Sequence, residues 1–537
     1  MKRYQKILLA VLAFTVLIVG SIQIYFTFFL DDQLESILTN RFQAATDEQY
    51  ELRIGDLDLE ILGRELNISD ISIHRKDESQ SLDLSADVKR LGISGISFIR
   101  LVIARELRLN KIELINPAIT LTTKQDQESA ASSSPSLQQL SRKFSAVVLQ
   151  VLDNVTIPDL QIRGFSARYN RSDLPVNPYL AFDNSDIHLS NIVIDSALVA
   201  DKRILPAEDI SASFNNIRHH TANELYQLSV QEATLTSRDQ DVSIQTLQLT
   251  PRFSKEKFAF HLGHEIDRMQ IYVPNIHWQG IDVKKLNLGE KLAARRIHIQ
   301  QPDIDIHRDK RPPFPPNNAP PLPQQMIRNI PFPLAVDTLA ISNGHIRYSE
   351  RVPEGNQSGH ITFTDLSASL HPLNNTNADS AFATTMTAST KIMDQARLQA
   401  QFTFPMNSNK HHVSGRLDSM AMKHLNPALE PLGFVRIDDG QILGLDFDMS
   451  LDADSANGET TFRYRNLKVS LLDKESKREN FGKKVVSLLA NTFKVKGKNT
   501  KPDPRTASVA FKRDPQKSVF NYWWKSLLSG LKASIGA

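Results

Sequence analysis

A mainly β protein is what the sequence predicts: one N-terminal transmembrane helix, then a long antiparallel β-structure with a few short amphipathic helices. Apolar and polar residues alternate with period two through most of the chain beyond about residue 50. A single apolar stretch near the start has the length of a bilayer crossing. Two low-complexity segments break the strand rhythm, and each is flanked by similar sequence.

The apolar stretch runs from Ile7 to Leu30 and holds Thr15, Ser21, Gln23 and Thr27 but no formal charge. A bilayer core of ~30 Å needs about 20 helical residues. Lys2, Arg3 and Lys6 precede it and Asp31, Asp32 and Glu35 follow it, so residues 1–6 are expected in the cytoplasm and the rest on the far side. A cleaved signal peptide is the competing reading. It would have a shorter apolar region and a small-x-small exit, where this chain has Phe28-Phe29-Leu30-Asp31-Asp32.

Composition narrows the function. The 537 residues carry 63 Lys and Arg against 60 Asp and Glu, a net charge of +3, with no Cys. A chain without Cys has no disulfide framework, zinc knuckle, iron–sulfur site or thiol nucleophile. The balanced charge argues against a nucleic-acid partner, which calls for a basic face.

Alternation begins with Leu52 to Leu59 and Leu66 to Ile73, then Leu107-Arg108-Leu109, Ile112-Glu113-Leu114 and Ile119-Thr120-Leu121. It resumes at Val242 to Leu249, Ile297-His298-Ile299, Ile304-Asp305-Ile306, Leu339-Ala340-Ile341, Ile346-Arg347-Tyr348 and Leu443 to Leu451. Period two gives each strand one apolar and one polar face. Asn343-Gly344, Asp439-Gly440 and Asn457-Gly458 are expected as hairpin turns. At roughly ten to fourteen residues per strand and turn, about 35 to 50 strands are expected. Either the apolar face is covered, as in a sandwich or barrel, or it lines a groove in a long curved sheet; alternation does not separate the two.

Lys124 to Ser136 reads as a flexible linker and Arg311 to Pro323 as a stiff, proline-rich one. Before the first stands Leu107-x4-Ile112-x-Leu114-x2-Pro117-x-Ile119-x-Leu121. Before the second stands Leu292-x4-Ile297-x-Ile299-x2-Pro302-x-Ile304-x-Ile306. After them, Leu160 to Tyr169 and Leu339 to Tyr348 have equal length and both end in Arg-Tyr, with the Gly displaced by one. Paired prolines, linkers and endings favour an internal duplication over chance. The expected segments are 31–123 (first β segment), 137–310 (a helix with Leu137, Leu140, Phe144, Val147, Val148 and Val151 on one face, then β-structure), 324–475 (the second β repeat) and 476–537 (amphipathic helices).

In the last segment Phe481, Val485, Leu488, Leu489 and Phe493 mark one helix. A second is expected from an Asp514 cap with Pro515 at its first position, carrying Val519, Phe520, Trp523, Trp524, Leu527, Leu528, Leu531 and Ile535. It either lies in a membrane interface or caps the end of the sheet.

No catalytic motif is present: no phosphate-cradling Gly-rich loop, no HExxH, no G-x-S-x-G. The pairs His219-His220 and His411-His412 point to opposite faces of a strand, and His261 and His264 have no carboxylate partner at ligand spacing. Asp452-x-Asp454-x2-Asn457-Gly458 puts Asn where a calcium loop needs Gly. No enzyme, metal or cofactor is expected.

Leu52 to Ile73 (LRIGDLDLEILGRELNISDISI) after a single anchor resembles the opening of AsmA-like proteins of Gram-negative envelopes. The Ile112-x-Leu114-x2-Pro117-x-Ile119 unit, Leu339 to Glu350, and Gly444 to Leu471 with Phe462 to Val469 resemble later portions of that family. The resemblance implies a long curved antiparallel β-groove, taco-like, whose apolar lining holds phospholipid acyl chains. It also implies an inner-membrane anchor with the bulk of the chain periplasmic, and a role in inter-membrane lipid transport and outer-membrane homeostasis. Partners would be phospholipid, the inner membrane and an outer-membrane or periplasmic protein. The lining would comprise Leu57, Leu59, Ile68, Ile71, Ile73, Ile112, Leu114, Ile119, Leu121, Ile297, Ile299, Ile304, Ile306, Leu339 and Ile341. Phe520, Trp523, Trp524, Leu527, Leu528 and Leu531 would form the interfacial or cap helix. The family supplies no catalytic residue. The alternative function is assembly of outer-membrane proteins through exposed sheet edges.

Overall fold

The computed structural model describes residues 49–60, 63–76, 82–97, 106–123, 153–172, 178–195, 206–315, 319–376, 382–472 and 496–536, except 222 and 501, with a few residues near 40 and 100. The expected anchor at 7–30, the linker at 124–136 and the helices expected at 137–151 and 481–493 lie outside these residues. Among the described residues no helix is long and apolar enough to cross a membrane. The protein is mainly β, as predicted. Its chain forms two compact units, Met1–Thr246 with Gln279–Lys291 and Leu247–Trp278 with Leu292–Ala537.

Unit 1 holds β1 (Tyr50–Arg53), β2 (Asp56–Glu60), β3 (Glu65–Arg75), β4 (Leu82–Ser94), β5 (Glu106–Arg108), β6 (Lys111–Ile115), β7 (Ala118–Thr123), β8 (Asn154–Arg171), β9 (Leu180–Ile194), β10 (Asp209–His220) and β11 (Tyr226–Thr236). The chain passes between units within β12 (Asp241–Pro251) and at the end of β13 (Asp267–Gln279). Unit 2 continues with β14 (Leu292–Gln300), β15 (Asp303–Asp309), β16 (Leu334–Arg351), β17 (Gly359–His371), β18 (Leu373–Asn374), β19 (Ala383–Ile392), β20 (Ala396–Pro405), β21 (His411–Leu417), β22 (Met420–Ala421), β23 (Val435–Leu451), β24 (Ser455–Leu471) and β25 (Thr506–Lys512). The α-helices with both ends among the described residues are α1 (Lys255–Leu262), α2 (Val283–Asn287), α3 (Pro323–Arg328), α4 (Asn426–Gly433) and α5 (Val519–Ile535), with a 3-10 turn at Met422–Leu425.

The pairing is mixed, not purely antiparallel. In unit 1, β5, β6 and β7 each run parallel to β8; in unit 2, β14 and β15 run parallel to β16. Long connections separate β7 from β8 and β15 from β16, because parallel neighbours cannot be joined by a tight turn.

These crossovers match in register. Ile112 sits beside Leu160 and Leu121 beside Tyr169; Ile297 sits beside Leu339 and Ile306 beside Tyr348. Both copies kink at the same place. Asn116 N–H donates to the Arg163 carbonyl (2.7 Å) and Ser166 N–H to that of Pro117 (2.9 Å). Gln301 N–H donates to the Ser342 carbonyl and His345 N–H to that of Pro302, both at 2.8 Å. Gly164 (φ 69°) and Asn343 (φ 53°) take the left-handed backbone at equivalent positions. The displaced Gly is thereby explained: one copy fills the kink with Gly, the other with Asn.

Strands are fewer and longer than expected, 25 among the described residues, with β8 and β16 each 18 residues long. Leu339-Ala340-Ile341 and Ile346-Arg347-Tyr348, which read as two strands, are one strand interrupted by a bulge at Asn343-Gly344. Asp439-Gly440 likewise lies at a register shift inside β23, whereas Asn457-Gly458 lies mid-strand in β24, in unbroken register with Ser450 and Met449. None of the three is a hairpin turn. A bulge adds a residue and bends the strand without ending it.

The proline-rich segment is docked rather than a free spacer. Leu322 is fully buried, Lys517 Nζ lies 3.3 Å from the centre of the Phe314 ring, and Arg513 donates to the Pro320 carbonyl (3.1 Å). Helix α5 starts later than expected. Ser518, not Asp514, is its cap, its hydroxyl accepting from Asn521 N–H (3.3 Å). Asp514 instead accepts from Gln516 N–H (3.0 Å) in the turn before it.

Candidate apolar binding face

Register converts the alternation into rows of side chains that cross the strands. In unit 1, one row reads Leu57, Ile68, Leu91, Leu114, Ile162, Ile187, Ala212, Leu235, spanning β2 to β11. A second reads Leu59, Leu66, Ile93, Ile112, Leu160, Leu189, Ile210. A third runs Leu52, Ile73, Ala86, Ile119, Ala167, Phe182, and Leu84, Leu121, Tyr169 and Leu180 make a fourth. Edge-on rings at 5.1 and 5.3 Å join Phe165, Phe182 and Phe214. Ile71 pairs with Val88.

Burial changes along these rows. Leu66, Ile68, Ile71, Ile73, Leu91, Ile93 and Ile112 are buried, whereas Leu57, Leu59, Leu114, Ile119 and Leu121 are half-buried. Across β8 to β11, Ile210 and Ala212 are buried, but Leu160, Ile162, Ile187, Leu189 and Leu235 are half-buried and Leu180 is exposed. A filled core would bury them.

Unit 2 carries the same kind of rows. Ile299, Ile341, Ala368, Ala388, Ala400, Gly415 and Phe447 form one; Ile297, Leu339, Leu370, Met386, Phe402, Val413, Met449, Gly458 and Val509 form another. Ile271, Ile304, Ile346, Phe363 and Ile392 make a third, and Met269, Ile306, Tyr348 and Ile361 a fourth. Of the residues expected to line a groove here, Ile297 is buried and Ile299, Ile304, Ile306, Leu339 and Ile341 are half-buried.

The last strands of unit 2 do not leave this face bare. Val413, Met449, Leu451, Val509, Val519 and Tyr522 are buried in one core, against which Phe402, Trp523, Leu527, Leu531 and Ile535 pack. Helix α5 approaches closely because its contact stripe is small: Ser526, Gly530 and Ser534 are buried at spacing four. A Cβ on Gly530 would lie 2.8 Å from Thr460 Cγ2 and 2.9 Å from Val509 Cγ2. Of the two placements the sequence allowed for this helix, it packs on the sheet, with Phe520 (73% exposed) and Trp524 (52%) turned outward.

Polar groups pin the helix. Trp523 Nε1–H donates to His411 Nε2 (2.9 Å), and His411 is 2% exposed. Burial, with the Arg513 cation nearby, pushes its pKa down to about 4. His412, next in β21, pairs with Asp448 instead (3.1 Å), so the two rings do point to opposite faces. Beside the apolar row, Arg308 Nε and Nη2 donate to the two carboxylate oxygens of Asp267 (2.7 and 2.6 Å). Burial and the neighbouring Glu350 carboxylate push the Tyr348 phenol well above its ordinary range.

The sequence did not signal β9 and β10 as strands, although they complete the rows. Asn184, Asn191 and Asn216 have positive φ inside them and break period two. The fragment Ile187 to Ile194 was the available signal. No three His, Asp or Glu converge to hold a metal among the described residues. A scan against protein-family models finds no match for this chain, and a search of curated proteins finds none either.

Proposed function

We propose that this chain is an AsmA-like envelope protein, anchored in the inner membrane by residues 7–30, with residues 1–6 cytoplasmic and the bulk of the chain periplasmic. In this reading it holds phospholipid acyl chains on its apolar β-face and supports inter-membrane lipid transport and outer-membrane homeostasis. One observation carries the reading: the unbroken apolar rows in which Leu160, Ile162, Ile187, Leu189 and Leu235 stay half-buried on β8, β9 and β11 of unit 1. Exposing a sixteen-carbon chain to water costs on the order of 12 kcal/mol, at roughly 0.8 kcal/mol per CH2. A band of Ile, Leu and Phe offsets much of that cost while the headgroup stays in water.

The test is mass spectrometry of lipid carried by the purified 537-residue chain, beside an Ile162→Asp/Ile187→Asp variant. Both side chains are half-buried, so the variant is expected to fold. Stoichiometric phospholipid on the parent and its loss on the variant is the expected result. Equal lipid on both sinks the reading, and lipid-free protein co-purifying with outer-membrane barrels favours the assembly role instead.

A further inference from the structure

We propose a phosphate-binding pocket on the polar face of unit 2, independent of the apolar rows. In β15, Asp305, His307 and Asp309 alternate with Ile304 and Ile306; in β16, Arg347, Ser349 and Arg351 alternate with Ile346 and Tyr348. Period two puts the polar set on the opposite face from the rows. There β15, β16, the first turn of α1 and Ser358 line a hollow of about 190 Å³ that is partly open to solvent, against the roughly 10–15 Å³ that one water needs.

The charges in the pocket do not balance. Lys255, Arg311, Arg347 and Arg351 line it, against Glu256 and Asp309. Two of these cations are committed: Arg311 holds Asp309 through both carboxylate oxygens, and Lys255 pairs with Asp305 (2.5 Å). The other two are not. Arg351 Nε is buried without a hydrogen-bond partner, and no hydrogen bond or ion pair among the described residues engages the Arg347 guanidinium. A buried N–H of a cation left unpaired is costly, and an oxyanion is the complement that two guanidinium forks accept. Donors reach the cavity from two strands, a helix and a loop, which suits a tetrahedral phosphate better than a planar carboxylate.

The duplicated unit is an internal control. Register places Thr122, Arg168, Asn170 and Ser172 of the first copy at the positions of His307, Arg347, Ser349 and Arg351. There Arg168 has a carboxylate partner, Asp183 (3.3 Å), which it shares with Arg218 (2.9 Å), and no second cation stands beside it at the Ser172 position. The framework is shared, and the uncommitted pair of guanidiniums belongs to the second copy.

The phosphate could be free or a lipid headgroup, and the experiment separates them. Inorganic phosphate is titrated calorimetrically into the full-length chain in mild detergent. Flotation is measured with phosphatidylcholine vesicles with and without phosphatidic acid. Saturable binding is expected, weakened about tenfold by Arg347→Gln or Arg351→Gln and further by both, with the exposed Arg397→Gln unchanged. Binding of inorganic phosphate alone assigns a free ligand. Phosphatidic-acid-dependent flotation that inorganic phosphate competes away assigns a headgroup. Binding to neither probe, equal binding by the double variant, or an equal loss in Arg397→Gln overturns the pocket. Arg347 is exposed, so its variant tests the site without risk to folding.

Discussion

Strands β8 to β11 of unit 1 and β20 to β25 of unit 2 are built on the same rule and end differently. Each carries unbroken apolar rows across paired strands. In unit 1, Ile162, Ile187 and Leu235 stay half-buried; in unit 2, Val413, Met449 and Val509 are each 2% exposed. What separates them is helix α5, whose Ser526-Gly530-Ser534 stripe lets it sit against β24 and β25. Alternation therefore specifies a sheet with an apolar face, and a separate element decides whether that face becomes core or remains a surface that can take a ligand.

The largest expected effect follows from removing that element's anchor. Tyr522 is 1% exposed in the core beneath α5. Tyr522→Ala should cost about 3–5 kcal/mol of unfolding free energy, as large aromatic truncations in cores do. Ile187→Ala, on a half-buried row, should cost about 1 kcal/mol. Urea unfolding of the two variants checks the contrast. Equal costs would mean that the unit 1 face is as much a core as the unit 2 face.

A pH dependence sharpens the same comparison. Folded His411 protonates only near pH 4, whereas in the unfolded chain it does so near 6.5. Above about pH 6.5 both states are neutral and this group's contribution is fully present. As pH falls toward 4 the unfolded state takes up a proton that the folded state refuses, and stability drops by about 3 kcal/mol in total. His411→Gln should remove this part of the slope. Urea midpoints measured from pH 7.5 to 4.5 check it, and parallel curves for parent and variant would show that His411 is not held neutral under α5.

Much of this was legible in the sequence, and the failures share a cause. Alternation from Leu52 to Ile73 and from Leu443 to Leu451 gave strands where the structure has them. The paired motifs around Pro117 and Pro302 became matched parallel crossovers. Covering of the face was only half legible: the apolar spacing of α5 allowed a cap on the sheet, and Val519, Tyr522, Trp523, Leu527 and Leu531 do pack there, but the Ser526-Gly530-Ser534 stripe that lets the helix approach carries no apolar signal. The charge imbalance at Arg347 and Arg351 was not legible, because Lys255, Asp305, Asp309 and Arg311 meet only through the fold. Strand number failed because local signals for a turn and for a bulge are the same residues.

That last confusion is testable at Asn343. In a hairpin turn its positive φ would serve to reverse the chain; in β16 it serves a bulge that keeps the rows on either side in register with β17. Asn tolerates this backbone better than other non-Gly residues, since its short polar side chain can bond locally. Asn343→Ala should therefore cost about 1 kcal/mol, whereas Asn343→Gly, which restores the residue found at the matching Gly164, should be neutral or better. In the first copy the asymmetry is harsher, because a Cβ on Gly164 would stand 2.2 Å from Asn116 Oδ1. Gly164→Asn should thus fail where Asn343→Gly succeeds. Thermal denaturation of the three variants reads this out. Symmetric tolerance would mean that the two kinks are not the same structural device.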